Sequence, residues 1–397
     1  MARPLRIFVM GVNHPVPTFI RRRLSRLDAA GIHLVIACHK KTDFIDFKNA
    51  ELIEFDKVSV RRPLRLLRQL VRFTLLFPAN VQLLRLAPQP FFLSRLKWSV
   101  EVIQLVRVRN VDLIHLQWLV PNERYLWLSH FYKGIPIMIS VRGSQVTVNA
   151  GKGQEDFIIE NFKHARAIHC VSHDIAQHCY KLGADDNSVF VNYNGINLQK
   201  FIRPSAPIAS SGKFNLVSVG SLIWRKGYLF QLLIVKELTE RGLGVHLTIV
   251  GSGVEDRGLQ YMVQRLGLES VVLFAGQLKE SEIIQQLCSS DLYLSTSVAE
   301  GLPNSLVEAA ACGLPIVSFE CEGAREVIDD GRTGFVVSYG QVREAADKIA
   351  LLIEDTKMRG EMAKGSRMKM VADFNENEWV DKMIAVYHKL AGHKSVS

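Results

Sequence analysis

Ser295 to Glu308 reads S-T-S-V-A-E-G-L-P-N-S-L-V-E, and this stretch decides how the chain is understood. Just before it, S-S-D-L-Y-L-S (289–295) is a short apolar run of strand type bounded by polar residues. After it, Leu306-Val307-Glu308-Ala309-Ala310-Ala311 is rich in good helix formers and is stopped by Gly313 and Pro315. The turn between them, Glu300 to Ser305, offers Pro303 near the first helical position and Asn304 or Ser305 as caps. A buried strand therefore delivers Glu300 to its carboxyl end, and a helix starts beside it with unsatisfied amides and a favourable dipole. That arrangement suits an anion such as a diphosphate. Glu308 lies one turn further on, its side chain leaning back toward the helix start. One acid beside a reacting sugar carbon and one behind it on ribose hydroxyls would fit a nucleotide-activated sugar.

The chain has 397 residues, enough for two domains of about 200 residues each. Its 48% hydrophobic and 22% charged content is that of a globular protein. The six cysteines form no C-x-x-C and read as reduced thiols of an intracellular protein, with no disulfide frame or zinc site. No run of about 18 uncharged apolar residues is present, so no membrane span is expected. Charge is divided unevenly: residues 1–205 carry 29 Lys/Arg against 15 Asp/Glu, whereas the remainder carries 20 against 24. Two domains with different partners follow from that asymmetry.

Read in order, strand-like Leu5 to Met10 is followed by the loop Gly11 to Pro17, which contains Asn13 and His14. Thr18 is the expected cap of a helix bearing Arg21, Arg22, Arg23 and Arg26, and a second strand runs from Ile32 to Cys38. Strand, helix and strand in this order open a doubly wound α/β sheet, whose ligands sit at the carboxyl ends of strands. The loop lacks G-x-G-x-x-G, so no dinucleotide fingerprint is present. In the stretch 57–109, ten basic residues from Arg61 onward are interleaved with apolar ones, and Glu101 is the only acid. Such a basic amphipathic stretch suits an anionic membrane surface, although snorkelling at the edge of a core helix explains it too. A nucleic-acid partner is not expected, because no binding motif or stacking array accompanies the charge. Two more buried strands end at Gln117 and at Arg142-Gly143-Ser144; an Arg at the second tip could grip a phosphate or acidic group. Pro204 to Gly212 has linker composition and marks the boundary, giving 1–205, 206–375 and a terminal segment 376–397. After it, Phe214 to Val219 leads into Gly220-Ser221-Leu222-Ile223-Trp224-Arg225-Lys226-Gly227, where Arg225 and Lys226 precede a helix and can neutralise a diphosphate. Gly251 and Gly253 follow a strand and permit close backbone approach to a ligand.

Glu300-x7-Glu308 with its inner E-G-L-P-N-S, the following A-C-G-L-P-I-V-S and then E-G-A-R-E-V-I-D-D-G-R-T-G-F-V-V together resemble the donor-binding half of retaining family-4 glycosyltransferases. The resemblance implies the GT-B fold: two Rossmann-like, doubly wound α/β domains facing across a cleft, with a terminal helix crossing back to the first. It implies Glu300 and Lys226 as catalytic residues, with Arg225 expected to stand in for the family's missing Arg. Ser221, Gly251, Gly253, Gly276, Leu302, Pro303, Asn304, Ser305 and Glu308 would bind the donor, Gly276 nearest the nucleobase. Asn13, His14, Gln117 and Arg142 would face the acceptor. This chain departs from the family within its site motifs: Gln117 stands where the usual H-x-H begun by His115 has its second His, Arg142 replaces the His of His-Gly, and Ser221 replaces the Arg of G-R-L. Asn194-Gly195-Ile196-Asn197 resembles the boundary signature N-G-x-D, and W-R-K-G-Y is similar to enzymes that assemble bacterial surface polysaccharides.

The expected activity is retaining transfer from a nucleotide-diphosphate sugar to a glycan or lipid-linked acceptor in the cytoplasm, peripheral at the inner membrane face. With no D-x-D in the chain, neither metal nor cofactor is expected to assist. The alternatives are a GT-B nucleotide-sugar epimerase and a non-catalytic sugar-nucleotide or membrane adaptor.

Overall fold

The computed structural model describes residues 4–12, 14–38, 40–54, 102, 105–106, 108–119, 126–148, 150–202 and 212–392. Asn13 and nearly all of the basic stretch 57–109 lie outside the described residues, as does most of the linker. The chain divides into two compact units, one of residues 1–170, 176–192 and 380–397, the other of residues 171–175 and 193–379.

Among the described residues of the first unit, seven parallel strands stand in the order β3-β2-β1-β4-β5-β6-β7. They are β1 (Arg6–Met10), β2 (His33–Cys38), β3 (Glu51–Glu54), β4 (Leu113–Leu116), β5 (Ile137–Val141), β6 (Ala167–Cys170) and β7 (Val189–Val191). The inner strands β4, β5 and β6 are buried along their whole length. Near-continuous apolar runs are what a parallel sheet covered on both faces requires. From β1 the chain builds outward to β2 and β3, then returns to the other side of β1 with β4. The carboxyl ends of β1 and β4 are thus a topological switch point, the crevice where such sheets hold ligands.

The second unit repeats the plan with six described strands in the order β10-β9-β8-β11-β12-β13. These are β8 (Phe214–Val219), β9 (Val245–Val250), β10 (Val272–Gly276), β11 (Leu292–Ser295), β12 (Ile316–Phe319) and β13 (Gly334–Val337). Leu216, Leu247, Ile249, Leu292, Leu294 and Val317 meet Leu232 and Val235 of the helix Tyr228–Glu240 in one core. Each fully buried Leu or Ile contributes roughly 1.5–3 kcal/mol. The switch point here lies between β8 and β11.

Two expected helix starts differ in detail. The helix Thr18–Ala29 is preceded by Pro17 and makes no side-chain cap bond, so Thr18 is its first residue and not its cap. Pro303 likewise occupies the cap position of the helix Asn304–Ala311, again without a side-chain cap bond. Proline's fixed φ shapes the first turn in each case, and Asn304 is left inside the helix. Along Thr18–Ala29 the buried residues are Ile20, Arg23, Leu24, Leu27 and Asp28. The Asp28 carboxylate accepts the backbone N–H groups of Lys48 and Asn49, each at 2.8 Å, which anchors the loop before β3.

Candidate active site

The switch point of the second unit is built from the loops that follow β8 and β11. Lys226 ends the short 3-10 turn Trp224–Lys226, and Gly227 then turns left-handed, φ 63°, to start the helix Tyr228–Glu240. A Cβ on Gly227 would stand 2.2 Å from the carbonyl oxygen of Thr296, so only glycine lets the two loops close. Thr296 Oγ1 donates to the carbonyls of Lys226 (3.1 Å) and Gly227 (2.9 Å), and the Val298 N–H donates to the Arg225 carbonyl at 2.7 Å. The loops so joined place Lys226 Nζ 2.5 Å from Glu300 Oε1, both side chains mostly buried. Gly251 extends the floor: its Cβ would fall 1.9 Å from the Gly220 carbonyl oxygen.

Glu300 and Glu308 act electrostatically on one common group. Both bear on the Tyr293 hydroxyl, which donates to the Val219 carbonyl and accepts the Val219 N–H, each at 3.1 Å. Burial pushes the Tyr293 phenol up to about 12, and the charges of Glu308 and Glu300 add to that push. The phenol is a neutral donor at any physiological pH.

Side chains not named as site residues in the sequence reading brace the Glu300 loop. Glu322 Oε2 accepts the Glu300 backbone N–H at 3.1 Å. Ser172 Oγ donates to the Gly301 carbonyl at 2.6 Å, and Asn194 Nδ2 donates to Asn304 Oδ1 at 2.8 Å. Leu302 is buried, whereas Ser221 and Gly253 are exposed and Asn304, Ser305, Arg225 and Gly276 are partly buried. Pro303 is buried with Leu302. The Gly276 carbonyl accepts the Gly251 N–H at 2.8 Å, which ties the ends of β9 and β10 together.

In the first unit Gln117 and Arg142 meet. Arg142 Nε donates to the Gln117 main-chain oxygen at 2.9 Å and Nη2 to Gln117 Oε1 at 2.8 Å. Gln117 Nε2 reaches His115 Nδ1 at 3.1 Å, which also meets the Tyr387 hydroxyl at 2.6 Å. His115 Nε2 lies 2.8 Å from Ser140 Oγ, Ser140 Oγ lies 2.8 Å from His169 Nδ1, and His169 Nε2 lies 2.9 Å from the Asn192 carbonyl. A carbonyl only accepts, so His169 carries its proton on Nε2. Burial, then the nearby Arg142 and Arg23, draws His169 well below the usual imidazole value and His115 down to about 3. Both rings are neutral. His169 Nδ1 therefore accepts from Ser140, Ser140 accepts from His115 Nε2–H, and His115 Nδ1 accepts from Tyr387 and Gln117. The Gln117 amide is thereby oriented with its oxygen toward Arg142. His14 stands apart, exposed and paired with Asp43 through Nδ1 at 2.7 Å.

Among the described residues, no three His, Cys, Asp or Glu side chains are grouped to hold a metal ion. No described helix is long and apolar enough to cross a membrane. All six cysteines are free, five of them buried.

Comparison with known proteins covers both units. Residues 16–200 match the Glycosyltransferase Family 4 model and residues 200–369 match Glycosyl transferases group 1. N-acetyl-alpha-D-glucosaminyl L-malate synthase of Bacillus anthracis is 25% identical over 312 residues, 75% of this chain and 79% of that protein. Escherichia coli K12 WcaL, named for colanic acid biosynthesis as a glycosyltransferase, is 28% identical over 203 residues. That match covers 49% of this chain and 50% of WcaL, so the chain spans about half of that relative's length. Among solved structures, Anabaena HepE in complex with UDP-glucose superposes with a TM-score of 0.75 at 17% identity, over 98% of this chain and 100% of HepE. The likeness establishes two Rossmann-like parallel-sheet domains of GT-B type, and the paired family matches identify the chain as a member of the group 1, family 4 glycosyltransferases.

Proposed function

We propose that the protein is a retaining, metal-independent hexosyltransferase that moves a sugar from a nucleotide-diphosphate sugar to a hydroxyl of a glycan or lipid-linked acceptor during polysaccharide assembly. The observation that carries this reading is the Lys226–Glu300 pair, 2.5 Å apart at the switch point of the second unit. Lys226, with Arg225 and the amides at the start of Asn304–Ala311, takes up the charge of the departing diphosphate. Glu300 supports the positive character that develops at the anomeric carbon, and Glu308 holds the ribose. The bond from that carbon to the diphosphate oxygen breaks, a bond to the acceptor oxygen forms on the same face, and the acceptor proton leaves on the diphosphate. The acceptor belongs to the first unit, near Gln117 and Arg142, with Asn13 and His14 as further expected contacts. The basic stretch 57–109 would keep the enzyme at an anionic inner membrane surface.

A thermal-shift panel of sugar nucleotides, beginning with UDP-glucose because HepE holds it, tests the reading. A tightly bound donor raises the melting temperature by mass action. Wild type should then hydrolyse or transfer that sugar with the anomeric configuration kept, chelator should leave the rate unchanged, and Glu300→Ala should abolish it. Inverted product, or turnover lost in chelator, would contradict the mechanism. Recovery of an epimeric nucleotide sugar would identify the epimerase instead.

A further inference from the structure

Arg142 is held as a partly spent cation. The edge of its guanidinium that carries Nε and one Nη2 proton is used on Gln117. Its central carbon stands over two adjoining rings, 5.4 Å from the Phe19 centroid and 5.7 Å from that of Trp118. Nη1, on the other edge, is buried and has no hydrogen-bond partner among the described residues. A charge of the same sign acts with it: Arg23, buried on the helix Thr18–Ala29, is drawn down by burial and then by Arg142. A buried donor left unmade costs about 1–3 kcal/mol, more for a charged group, and two cations side by side add repulsion. Proteins retain such an arrangement where a ligand supplies the missing acceptor. The location agrees, because Arg142 follows β5 and Gln117 follows β4, beside the switch point of the first sheet.

We infer that the first unit recognises an oxyanion of the acceptor, a carboxylate or a phosphate, through Arg142 Nη1 with Arg23 alongside. This deepens the transferase reading and rests on it only in calling the ligand an acceptor. The hydrogen-bonded row from Asn192 to Gln117 fixes the guanidinium before the ligand arrives, so little ordering remains to be done on binding. Burial holds Arg142 at about 9, and an oxyanion would raise it.

The test uses the full chain without donor, titrated calorimetrically with malonate, methyl phosphate and, as a neutral control, glycerol. Malonate or methyl phosphate should bind wild type and Lys226→Ala alike, and binding should weaken about tenfold or more in Arg142→Met, with partial recovery in Arg142→Lys. The preferred anion tells carboxylate from phosphate. Binding that survives in Arg142→Met, that disappears only in Lys226→Ala, or that is absent from wild type overturns the inference. Should Arg142→Met fail to fold, the wild-type pH profile decides. Tyr387, His115 and His169 are neutral throughout, so affinity should fall as pH rises through about 9, when Arg142 loses its proton. A flat profile to pH 10 refutes the assignment. No donor is present, so failure here leaves the transferase reading intact, and loss of turnover in Glu300→Ala leaves this site untouched.

Discussion

The two sheets share one winding plan and differ in how they handle charge at its centre. In the second unit, Lys226 and Glu300 neutralise each other across adjoining loops. In the first, Arg142 and Arg23 stand together and their titratable companions His115 and His169 are neutral. An opposite-charge pair is stable alone and must be parted by a charged ligand, whereas a like-charge pair is stabilised by one. The fold supplies the position; the side chains decide whether the resting state is content.

The contrast can be broken most severely at Lys226. Lys226→Met should lower kcat by about 100- to 1,000-fold, the usual cost of removing one charge-stabilising donor, measured as steady-state sugar transfer. An unchanged kcat would mean that the pair is structural. The next effect is on acid stability and belongs to the first unit. His115 and His169 hold fewer protons folded than unfolded, so their contribution is complete above pH 6.5 and is lost as pH falls below it, for His115 down to about 3. Unfolding free energies from urea titrations followed by tryptophan fluorescence should decline by about 1.4 kcal/mol per pH unit for His115 between pH 6 and 4, with His169 adding to the fall. A His115→Gln variant should show a shallower decline, and an equal slope would remove the neutral-imidazole assignment. Gly251→Ala comes third: with the new Cβ against the Gly220 carbonyl, it should cost about 1–3 kcal/mol, read as a melting point lower by about 2–4 °C per kcal/mol. The smallest effect is expected at Glu322, which holds the Glu300 backbone and touches no reacting atom. Glu322→Gln should reduce kcat by less than about tenfold with KM unchanged; a rise in KM alone would mean that it binds substrate instead.

Much of this is legible without coordinates. Runs such as Leu113–Leu116 and Ile137–Val141 are apolar at nearly every position, and a doubly covered parallel strand asks for that. The junction from Leu292 to Ala311 tells of strand, acid, turn and helix because each residue type there serves the local geometry. The caps escape such a reading because Pro17 and Pro303 fix the backbone without offering a side-chain acceptor. Arg23 does leave a signal: it lies within the stripe Ile20, Arg23, Leu24, Leu27, where a charged residue on the apolar face points to a purpose. The bond between His115 and Tyr387 spans 272 positions of sequence, and the one between Ser172 and Gly301 spans 129. Periodicity carries no information at that range.

The anchor of the imidazole row is a main-chain oxygen, that of Asn192, whose own N–H is laddered to Cys170 at 3.1 Å. A peptide carbonyl survives every substitution at its residue, so drift at position 192 cannot reverse the direction in which those protons point. Only a slip of β7 along β6 could do that, and it would flip every donor up to the guanidinium at once.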